Sequence, residues 1–538
     1  MKNQFPGKGK IKTIKTTFIL ILLLMLILSI TGAAQANASP SPALDAGAWH
    51  NLLLREDGTV WAWGWDDDGQ LGRGSWRFAG IFGRDYTPGQ TPMQVQGLSG
   101  IRAVAGGNLH SLALKNDGTV WSWGSDAGMQ LGAQRESINP EYSQYYAGQV
   151  KSISGVQAVA AGSYHSVVLK QDGTVWGWGS NSSGQRGDGS TPERLPFTKE
   201  TPVQALGLRG VTAIAAGSNH TLALRNDGTV WAWGADIFLQ NPDGSRERGI
   251  VPLQIPNLSG ITAVDGGTFH SLALKNDGTV WSWGTNTSGQ LGDGTGNTAL
   301  PGQPVQILGL SGITAISAGG FHNLALDRNG SVWAWGANIY GQLGNGITTN
   351  SNVPVPVQGL SGVADIAAGN NHSAALGQDG TVWAWGSNAR GELGLEMETR
   401  QSLTPVQSRI SSAASPLQIV LQVDNSVAKV GDLDVPLDVP PFISGGRTLV
   451  PLRFIGEQLG AKIGWEGQEQ KVTYTRGTDE VILWVGRSNA MVNGKQTPLD
   501  VPPQIRNGRT MVPLRFISNA FGAKTDWDSV TRSITITP

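Results

Sequence analysis

The stretch GGTFHSLALKNDGTVWSWG, residues 266–284, is the clearest of seven copies of one sequence pattern. In each copy a histidine is followed eleven residues later by the first tryptophan of a W-x-W-G sequence. All seven histidines of the chain anchor copies: His50, His110, His165, His220, His270, His322 and His372. They stand 50 to 60 residues apart. A repeat of this length indicates one supersecondary unit used again and again.

The quoted copy reads as a β-hairpin. Leu272 to Leu274 alternate as a strand does, and Asn276-Asp277-Gly278 favours a tight turn. The β-branched and aromatic residues from Thr279 to Trp283 predict the returning strand. A further strand precedes the histidine in copies two to seven, and a P-V-Q segment follows a G-Q-L-G turn. About four strands in each of seven units predict an all-β seven-bladed propeller, which leaves few exposed sheet edges.

Two copies depart from the pattern. The first begins at Asp45 without an obvious preceding strand, whereas the segment after the last copy looks like one. We therefore predict that Ile410–Ala414 completes the first blade. In the fourth copy Gly234 is followed by ADIFLQNP in place of the G-Q-L-G turn, which predicts a remodelled turn.

These repeats resemble those of the RCC1 repeat family, whose members form seven-bladed propellers. The resemblance covers about residues 45–415, and we assign 39–415 to the propeller. The family includes exchange factors for small GTPases and propeller-type inhibitors of β-lactamase. The resemblance therefore implies a fold without selecting a function.

The first 38 residues have the features of a secretory signal. Four lysines between Lys8 and Lys15 precede an apolar run of 13 residues, and Ala36-Asn37-Ala38 suits cleavage. An uncleaved anchor is the alternative. Cleavage near Ala38 takes five lysines and no acidic residue from totals of 39 and 40, which leaves a net charge of −6. That charge argues against a nucleic-acid partner.

A second repeat, offset by 62 residues, occupies the assigned domain 416–538. Residues 437–466 align with 499–528, and both contain G-R-T-x-V-P-L-R-F-I. The pattern predicts a small α+β domain of two related halves, each with a short helix after Pro451 or Pro513. It resembles the N-terminal, stalk-like domain of copper amine oxidases, which implies an accessory or tethering role on an exported protein. The domain contains no His or Cys, so it cannot build a His-ligated copper centre.

No residue pattern predicts catalysis, a cofactor or a metal. Each histidine occupies one fixed repeat position, so we interpret the ring of histidines as structural rather than metal-binding. The Asx residue of each turn is likewise interpreted as turn-stabilising. Asp66-Asp67-Asp68-Gly69 lacks the other spaced ligands of a calcium loop. With no cysteine in the chain, thiol catalysis and disulfides are also excluded.

The segments that differ between copies are the better candidates for a binding site. The connections after blades one and two are long and aromatic, and Tyr, Trp and Arg are typical of protein-binding surfaces. The candidate partner-binding residues are Trp76, Arg77, Phe78, Phe82, Arg84, Tyr86, Arg135, Tyr142, Tyr145 and Tyr146. The alternative is that these segments fold back and bury their own aromatic rings.

We therefore predict a secreted or cell-surface, non-enzymatic propeller that binds an extracellular or cell-surface protein. The C-terminal domain would serve as an accessory or tether. The alternative function is binding of cell-wall polysaccharide or another carbohydrate, and an exchange-factor activity inferred from the family is less favoured.

Overall fold

The computed structural model describes residues 41–73, 89–132, 143–190, 198–240, 246–296, 303–395, 400–410, 418–430, 433–459, 461–476 and 479–537. Within these ranges residues 43–407 form seven four-stranded antiparallel sheets, and residues 419–537 form three further sheets. The seven sheets confirm the predicted propeller, and the later sheets carry two short helices, as the α+β prediction requires.

The four strands of each blade are numbered from the central channel outward. The first strands are β1 (Ala43–Ala46), β5 (Ile101–Gly106), β9 (Val156–Ala161), β13 (Val211–Ala216), β17 (Ile261–Gly266), β21 (Ile313–Ala318) and β25 (Val363–Ala368). The second strands are β2 (His50–Leu54), β6 (His110–Lys115), β10 (His165–Lys170), β14 (His220–Arg225), β18 (His270–Lys275), β22 (His322–Asp327) and β26 (His372–Gly377).

The third strands carry the W-x-W-G sequences. They are β3 (Val60–Gly64), β7 (Val120–Ser125), β11 (Val175–Ser180), β15 (Val230–Gln240), β19 (Val280–Gly284), β23 (Val332–Gly336) and β27 (Val382–Ser387). The outer strands are β4 (Gly89–Gln94), β8 (Ser143–Gln149), β12 (Thr198–Gln204), β16 (Arg246–Gln254), β20 (Val305–Gln306), β24 (Ser351–Pro356) and β28 (Gln401–Gln407).

The first blade closes differently from the prediction. Its inner strand is β1, which pairs with β2 from Ala43–Leu54 to Ala46–Asn51. Ile410 lies outside any strand and packs against the core between blades seven and one, and residues 411–414 lie outside the described ranges. The prediction was wrong because ALDA has no β-branched residue to mark a strand. Contacts with blade seven, 321 residues away in sequence, hold β1 in place; Leu44 N donates to Asp365 Oδ2 at 2.9 Å.

Neighbouring blades pack large side chains against small ones. The second Trp of each W-x-W-G sequence is buried against the preceding blade, as Trp283 is against Ala232 and Trp385 against Ala334. The small residue between the two tryptophans makes this space, as the sequence indicated. Burying one Trp contributes a gross ~4–6 kcal/mol before chain entropy is subtracted.

The fourth blade has the expected remodelled turn. Its third strand, β15, has 11 residues and its outer strand, β16, has 9, and the two continue their pairing to Gln240–Arg246. A long β-hairpin therefore replaces the turn that the other six blades have after W-x-W-G, whose sequence is G-Q-L-G or a close variant of it.

The C-terminal sheets are built from both halves of the 62-residue repeat. One has the order β31 (Leu433–Pro436), β30 (Val427–Val430), β29 (Ile419–Gln422), β42 (Ser533–Thr537), β41 (Lys524–Asp528). Its counterpart has the order β34 (Lys462–Glu466), β35 (Lys471–Arg476), β36 (Asp479–Trp484), β37 (Asn489–Val492), β38 (Lys495–Pro498). The third has the order β32 (Phe442–Ser444), β33 (Arg447–Pro451), β40 (Arg509–Pro513), β39 (Gln504–Arg506).

A pseudo-twofold axis relates the two halves. Val450 pairs directly with Val512, its equivalent 62 residues later, so the axis passes between β33 and β40. The helices α1 (Leu452–Gln458) and α2 (Leu514–Ala520) follow Pro451 and Pro513, as expected. Reciprocal ion pairs join the halves: Arg447 contacts Asp500 at 2.7 Å, and Arg509 contacts Asp438 at 2.9 Å. The arginine of each G-R-T motif thus binds the L-D-V-P-P segment of the other half.

Candidate interaction face of the propeller

The seven histidines form a buried ring that joins each blade to the next. Each Nε2 lies 2.6 to 3.1 Å from a Ser or Thr hydroxyl or an Asn amide oxygen of the following blade. The partners are Ser111, Ser166, Thr221, Ser271, Asn323, Ser373 and, across the closing junction, Asn51. The geometry supports the structural interpretation of the histidines.

At six junctions the hydrogen-bond chain fixes the histidine tautomer. Ser111 Oγ donates its hydrogen to Gln70 O at 2.8 Å, so it can only accept from His50 Nε2–H. The same logic applies at five other junctions, where the partner side chain donates to the carbonyl of the Gln or Glu in the corresponding turn. Burial lowers the pKa of every histidine, to about 3 for His50 and about 4 for His270. All seven are therefore neutral at physiological pH.

The same carbonyl also accepts from the buried Trp of the next blade. Trp123 Nε1 donates to Gln70 O at 2.8 Å, and five other tryptophans make the equivalent bond. The junction between blades four and five is the exception. Among the described residues Trp283 Nε1 is buried without a hydrogen-bond partner, because the fourth blade lacks the turn that supplies the carbonyl.

The turn-stabilising role of the Asx residues is confirmed at six copies. Asp66 Oδ1 accepts a hydrogen bond from Leu71 N at 2.9 Å. The equivalent bond, with Oδ1 as the acceptor, is made by Asp126, Asn181, Asn286, Asn338 and Asn388. The side chain of the seventh, Asp236, lies outside the described part of the chain. Burial raises the pKa of Asp66 to about 6, and Asp66 is already committed to the turn. Among the described residues, no group of three or more His, Asp or Glu side chains has the arrangement of a metal site.

The central channel, 710 Å³ in volume, contains acidic residues that the sequence analysis missed. Asp45 and Asp265 line it, and each accepts a backbone N–H from the next blade: Gly106 N at 2.8 Å and Ala318 N at 2.7 Å. Burial raises the pKa of Asp45 to about 7 and that of Asp265 to about 6. The sequence does distinguish these two aspartates, because the other five copies carry Ala or Ser at the same repeat position.

One end of the channel, which we call the mouth face, is rich in aromatic side chains. It is formed by the residues just before each histidine and just after each W-x-W-G sequence, which bond to each other as Trp65 N does to Trp49 O. Trp49, Tyr164, Phe269 and Phe321 line the channel there. At the equivalent positions the other copies have Leu or Asn.

The aromatic residues named on the mouth face, other than Tyr164, lie on blades five, six and one, and blade seven contributes Arg390. Phe269 and Phe321 are in contact, with ring centroids 6.1 Å apart. Trp49 and Trp65 form an edge-to-face pair at 6.0 Å, and the guanidinium of Arg390 lies 4.0 Å from the Trp65 ring centroid. Tyr340 and Ile339, in the turn of blade six, are 38% and 62% exposed. We call these seven residues the aromatic sector.

Eight of the ten predicted partner-binding residues lie outside the described residues. They are Trp76, Arg77, Phe78, Phe82, Arg84, Tyr86, Arg135 and Tyr142. Both segments lead into outer strands, β4 and β8, whose first residues pair with the mouth-face ends of β3 and β7.

Tyr145 and Tyr146 lie on β8 and are partly buried. Tyr145 Oη donates to Asp67 O of blade one at 3.2 Å, and its ring lies against Gly69. Tyr145 therefore contacts the adjacent blade, and the assignment of this patch to partner binding stays a prediction.

Within the described residues, no helix has the length and apolar character needed to cross a membrane.

Comparison with known families gives three matches. The RCC1-like domain matches residues 80–428, the regulator of chromosome condensation (RCC1) repeat matches 43–70, and the copper amine oxidase N-terminal domain matches 407–536. For the last, the absence of His and Cys from residues 416–538 means that the residues present do not fit a copper site with imidazole or thiolate ligands.

Several curated proteins are similar to the propeller. The ultraviolet-B receptor UVR8 of Arabidopsis thaliana is 31% identical over 313 residues, covering 56% of this chain and 66% of the receptor. Protein pim1 of Schizosaccharomyces pombe is 30% identical, covering 56% and 60%. The probable E3 ubiquitin-protein ligase HERC6 of Homo sapiens is 36% identical, covering 36% and 18%. The chain thus spans less than two thirds of the length of these relatives.

Solved structures show the same fold. Human WBSCR16 is 25% identical, with a TM-score of 0.56, and the match covers 65% of this chain and 94% of that protein. Prp20p of Saccharomyces cerevisiae, whose structure was described with its binding to Gsp1p and histones, is 22% identical with a TM-score of 0.55, covering 71% and 89%. With its seven-bladed fold and a family match over more than half its length, the chain belongs to the RCC1-like family and carries a copper amine oxidase N-terminal domain at its C-terminal end.

Proposed function

We propose that this chain is a non-enzymatic propeller that binds a protein partner through the aromatic sector of its mouth face. It works outside the cell or at the cell surface after removal of residues 1–38, and its C-terminal domain acts as an accessory or tether. The observation that carries the proposal is the aromatic sector, because Trp, Tyr and Arg dominate the energetics of protein interfaces.

The repeated framework does not explain the aromatic sector. Where Trp65 stands, the other six copies have Ser, Thr or Ala, and where Tyr340 stands, four of the other five copies with this turn have Gly, Ser or Asp. The fifth has Arg390, which stacks on Trp65. The blades fold with small residues at these positions, so the large side chains serve another purpose.

The relatives are consistent with protein binding and supply no catalytic site. The structure of Prp20p was described together with its binding to other proteins. HERC6 is named as a ligase, but the match covers only 18% of it. The two carboxyl groups of the central channel with raised pKa values, Asp45 and Asp265, accept backbone N–H groups between blades, as a structural clamp does.

The proposal is tested with the mature full chain carrying Ile339→Glu and Tyr340→Ala. Both side chains are exposed, so the melting temperature should stay unchanged while capture of the partner from a cell-surface protein extract is lost. The matched control is Leu206→Glu with Leu308→Glu, since these exposed leucines lie in turns that enter blades four and six at the opposite face. Equal capture by both double variants would show that the aromatic sector is not the docking surface.

A further inference from the structure

The C-terminal domain exposes two tryptophans at matching positions of its repeat. Trp465, on β34, is 47% exposed, and Trp527, on β41, is 42% exposed. They are 62 residues apart, so the pseudo-twofold axis relates them. Each lies on an edge strand, since β34 and β41 are the outermost strands of their sheets.

Only part of each ring is needed by the core. Trp465 stands opposite Val472 and Trp527 opposite Ile534, both buried, so each indole sits at the margin of the hydrophobic core with one part left in solvent. An apolar side chain of ordinary size would close that margin equally well. The exposed aromatic surface, retained in both halves, therefore needs a further explanation.

Strand pairing with a second copy is disfavoured at these edges. β34 reads KIGWE and β41 reads KTDWD, so charged residues stand on both edge strands. Charged side chains on an edge strand are a common device against edge-to-edge association. A second copy of this chain is therefore the less suitable occupant.

A protein partner is disfavoured by area. With roughly 45% of its surface in solvent, one indole offers roughly 100 Å², whereas a stable protein interface buries about 800 Å² on each side. The hairpin after Trp465, Glu466–Gln470, is exposed and polar, and the hairpin after Trp527, Asp528–Arg532, adds one exposed apolar side chain, Val530, so neither brings the apolar patch near that area.

A sugar ring fits both features. The C–H face of a pyranose packs on the face of an indole, whose π system is negative. Around the ring edge, hydroxyl groups need donors and acceptors, and the exposed hairpins carry polar side chains: Gln468 and Glu469 follow Trp465, and Asp528 and Thr531, which hydrogen-bond to each other at 2.7 Å, follow Trp527. Both hairpins have the same turn, with φ of 49° at Gln470 and 52° at Arg532, so their backbones have the same conformation.

We infer that Trp465 and Trp527 are twin stacking platforms for a polysaccharide, and that they attach the chain bivalently to it. The inference takes the C-terminal domain as the tether of the proposed function and does not involve the propeller's protein partner. Two weak sites on one polymer raise the apparent affinity by about 10²–10⁴ without any further contact.

The test is co-sedimentation of the mature full chain with insoluble peptidoglycan stripped of protein, and in parallel with chitin. Trp465→Leu and Trp527→Leu should each weaken retention about tenfold or more, because either one ends bivalent attachment. The double variant should fall to background. Trp465→Phe with Trp527→Phe keeps aromatic faces and should retain binding, whereas leucine keeps apolar packing without stacking.

The matched control is Ile443→Ala with Ile505→Ala, a second exposed pair related by the same twofold axis. Retention of this control at the wild-type level, with the leucine variants lost, supports the proposal. No binding of the wild type to either polysaccharide would overturn it, as would binding that survives in the double leucine variant.

A loss of melting temperature in the leucine variants with unchanged retention would assign both rings to the core and also overturn the proposal. The propeller double variant Ile339→Glu with Tyr340→Ala should sediment like the wild type, so failure of the tether and failure of the propeller surface are separable.

Discussion

The junction between blades four and five should be the weakest in the ring, and a matched pair of substitutions measures this. Trp283 and Trp335 are both fully buried at equivalent positions of consecutive blades. Trp335 Nε1 donates to Gln290 O at 3.1 Å, whereas Trp283 Nε1 has no partner in the part of the chain that the structure describes. Trp→Phe at either site removes the same atoms and leaves a similar cavity, so the difference between the two variants isolates the indole N–H.

The contribution of the indole N–H to the free energy of unfolding has opposite signs at the two sites. Trp335→Phe loses a net hydrogen bond worth about 1 kcal/mol in addition to the shared cavity cost. Trp283→Phe removes a buried, unsatisfied donor whose desolvation costs about 1–3 kcal/mol, so part of its cavity cost is offset. We expect Trp335→Phe to be more destabilising than Trp283→Phe by about 2–4 kcal/mol.

The assay is equilibrium urea unfolding of the full chain, with amide hydrogen exchange resolving each junction. Trp385→Phe, which loses the bond to Gln342 O at 2.9 Å, is the second reference and should behave like Trp335→Phe. Equal losses for all three variants would refute the reasoning, because they would show that the N–H of Trp283 is satisfied in solution.

Three further predictions concern pH and packing. Burial holds the pKa of His50 in the folded state at about 3, below its value in the unfolded state. The unfolded state therefore binds more protons as the pH falls below about 6.5. The free energy of unfolding, measured by urea titration, should drop by up to about 1.4 kcal/mol per histidine at pH 5.5. For Asp45 the pH dependence of stability has the opposite sign, since its folded pKa of about 7 lies above the unfolded value and ionisation opposes folding. Asp45→Asn should raise the free energy of unfolding at pH 8 by up to about 4 kcal/mol and leave it unchanged near pH 3. Gly267→Ala places a methyl group 2.6 Å from Gly319 O of the next blade and should lower the free energy of unfolding by about 1–3 kcal/mol, while Gly296→Ala, with open space around it, should be neutral.

The periodic features of the fold were predictable because each copy states them again. Seven hairpins with the same turn, the small residue between two tryptophans and the Asx of each turn all follow from local patterns. The inner strand β1 did not follow, because its four residues carry no strand signal and are held by Asp365 and the rest of blade seven. Ring closure depends on contacts between residues far apart in the sequence, and the local sequence ALDA does not indicate them.

The candidate site was only partly accessible from sequence. Connection length directed attention to the segments after blades one and two. The aromatic sector instead lies at single positions, where a repeat alignment shows aromatic residues before the histidine in four of the seven copies and shows Trp65, after W-x-W-G, as an exception among Ser, Thr and Ala. That signal was present, but knowing that these positions meet on one face requires the register in which Trp65 N bonds Trp49 O.

The hydrogen bonds between neighbouring blades determine which junction of the ring opens most easily. The closing junction between blades seven and one has the full set of bonds: His372 to Asn51, and both Asn51 Nδ2 and Trp63 Nε1 to Glu392 O. The two ends of the propeller sequence are therefore joined as firmly as blades that are consecutive in the chain. The incomplete junction lies in the middle of the sequence, beside the long hairpin of blade four. Local opening should thus begin between blades four and five rather than at the chain ends, where fraying is ordinarily concentrated.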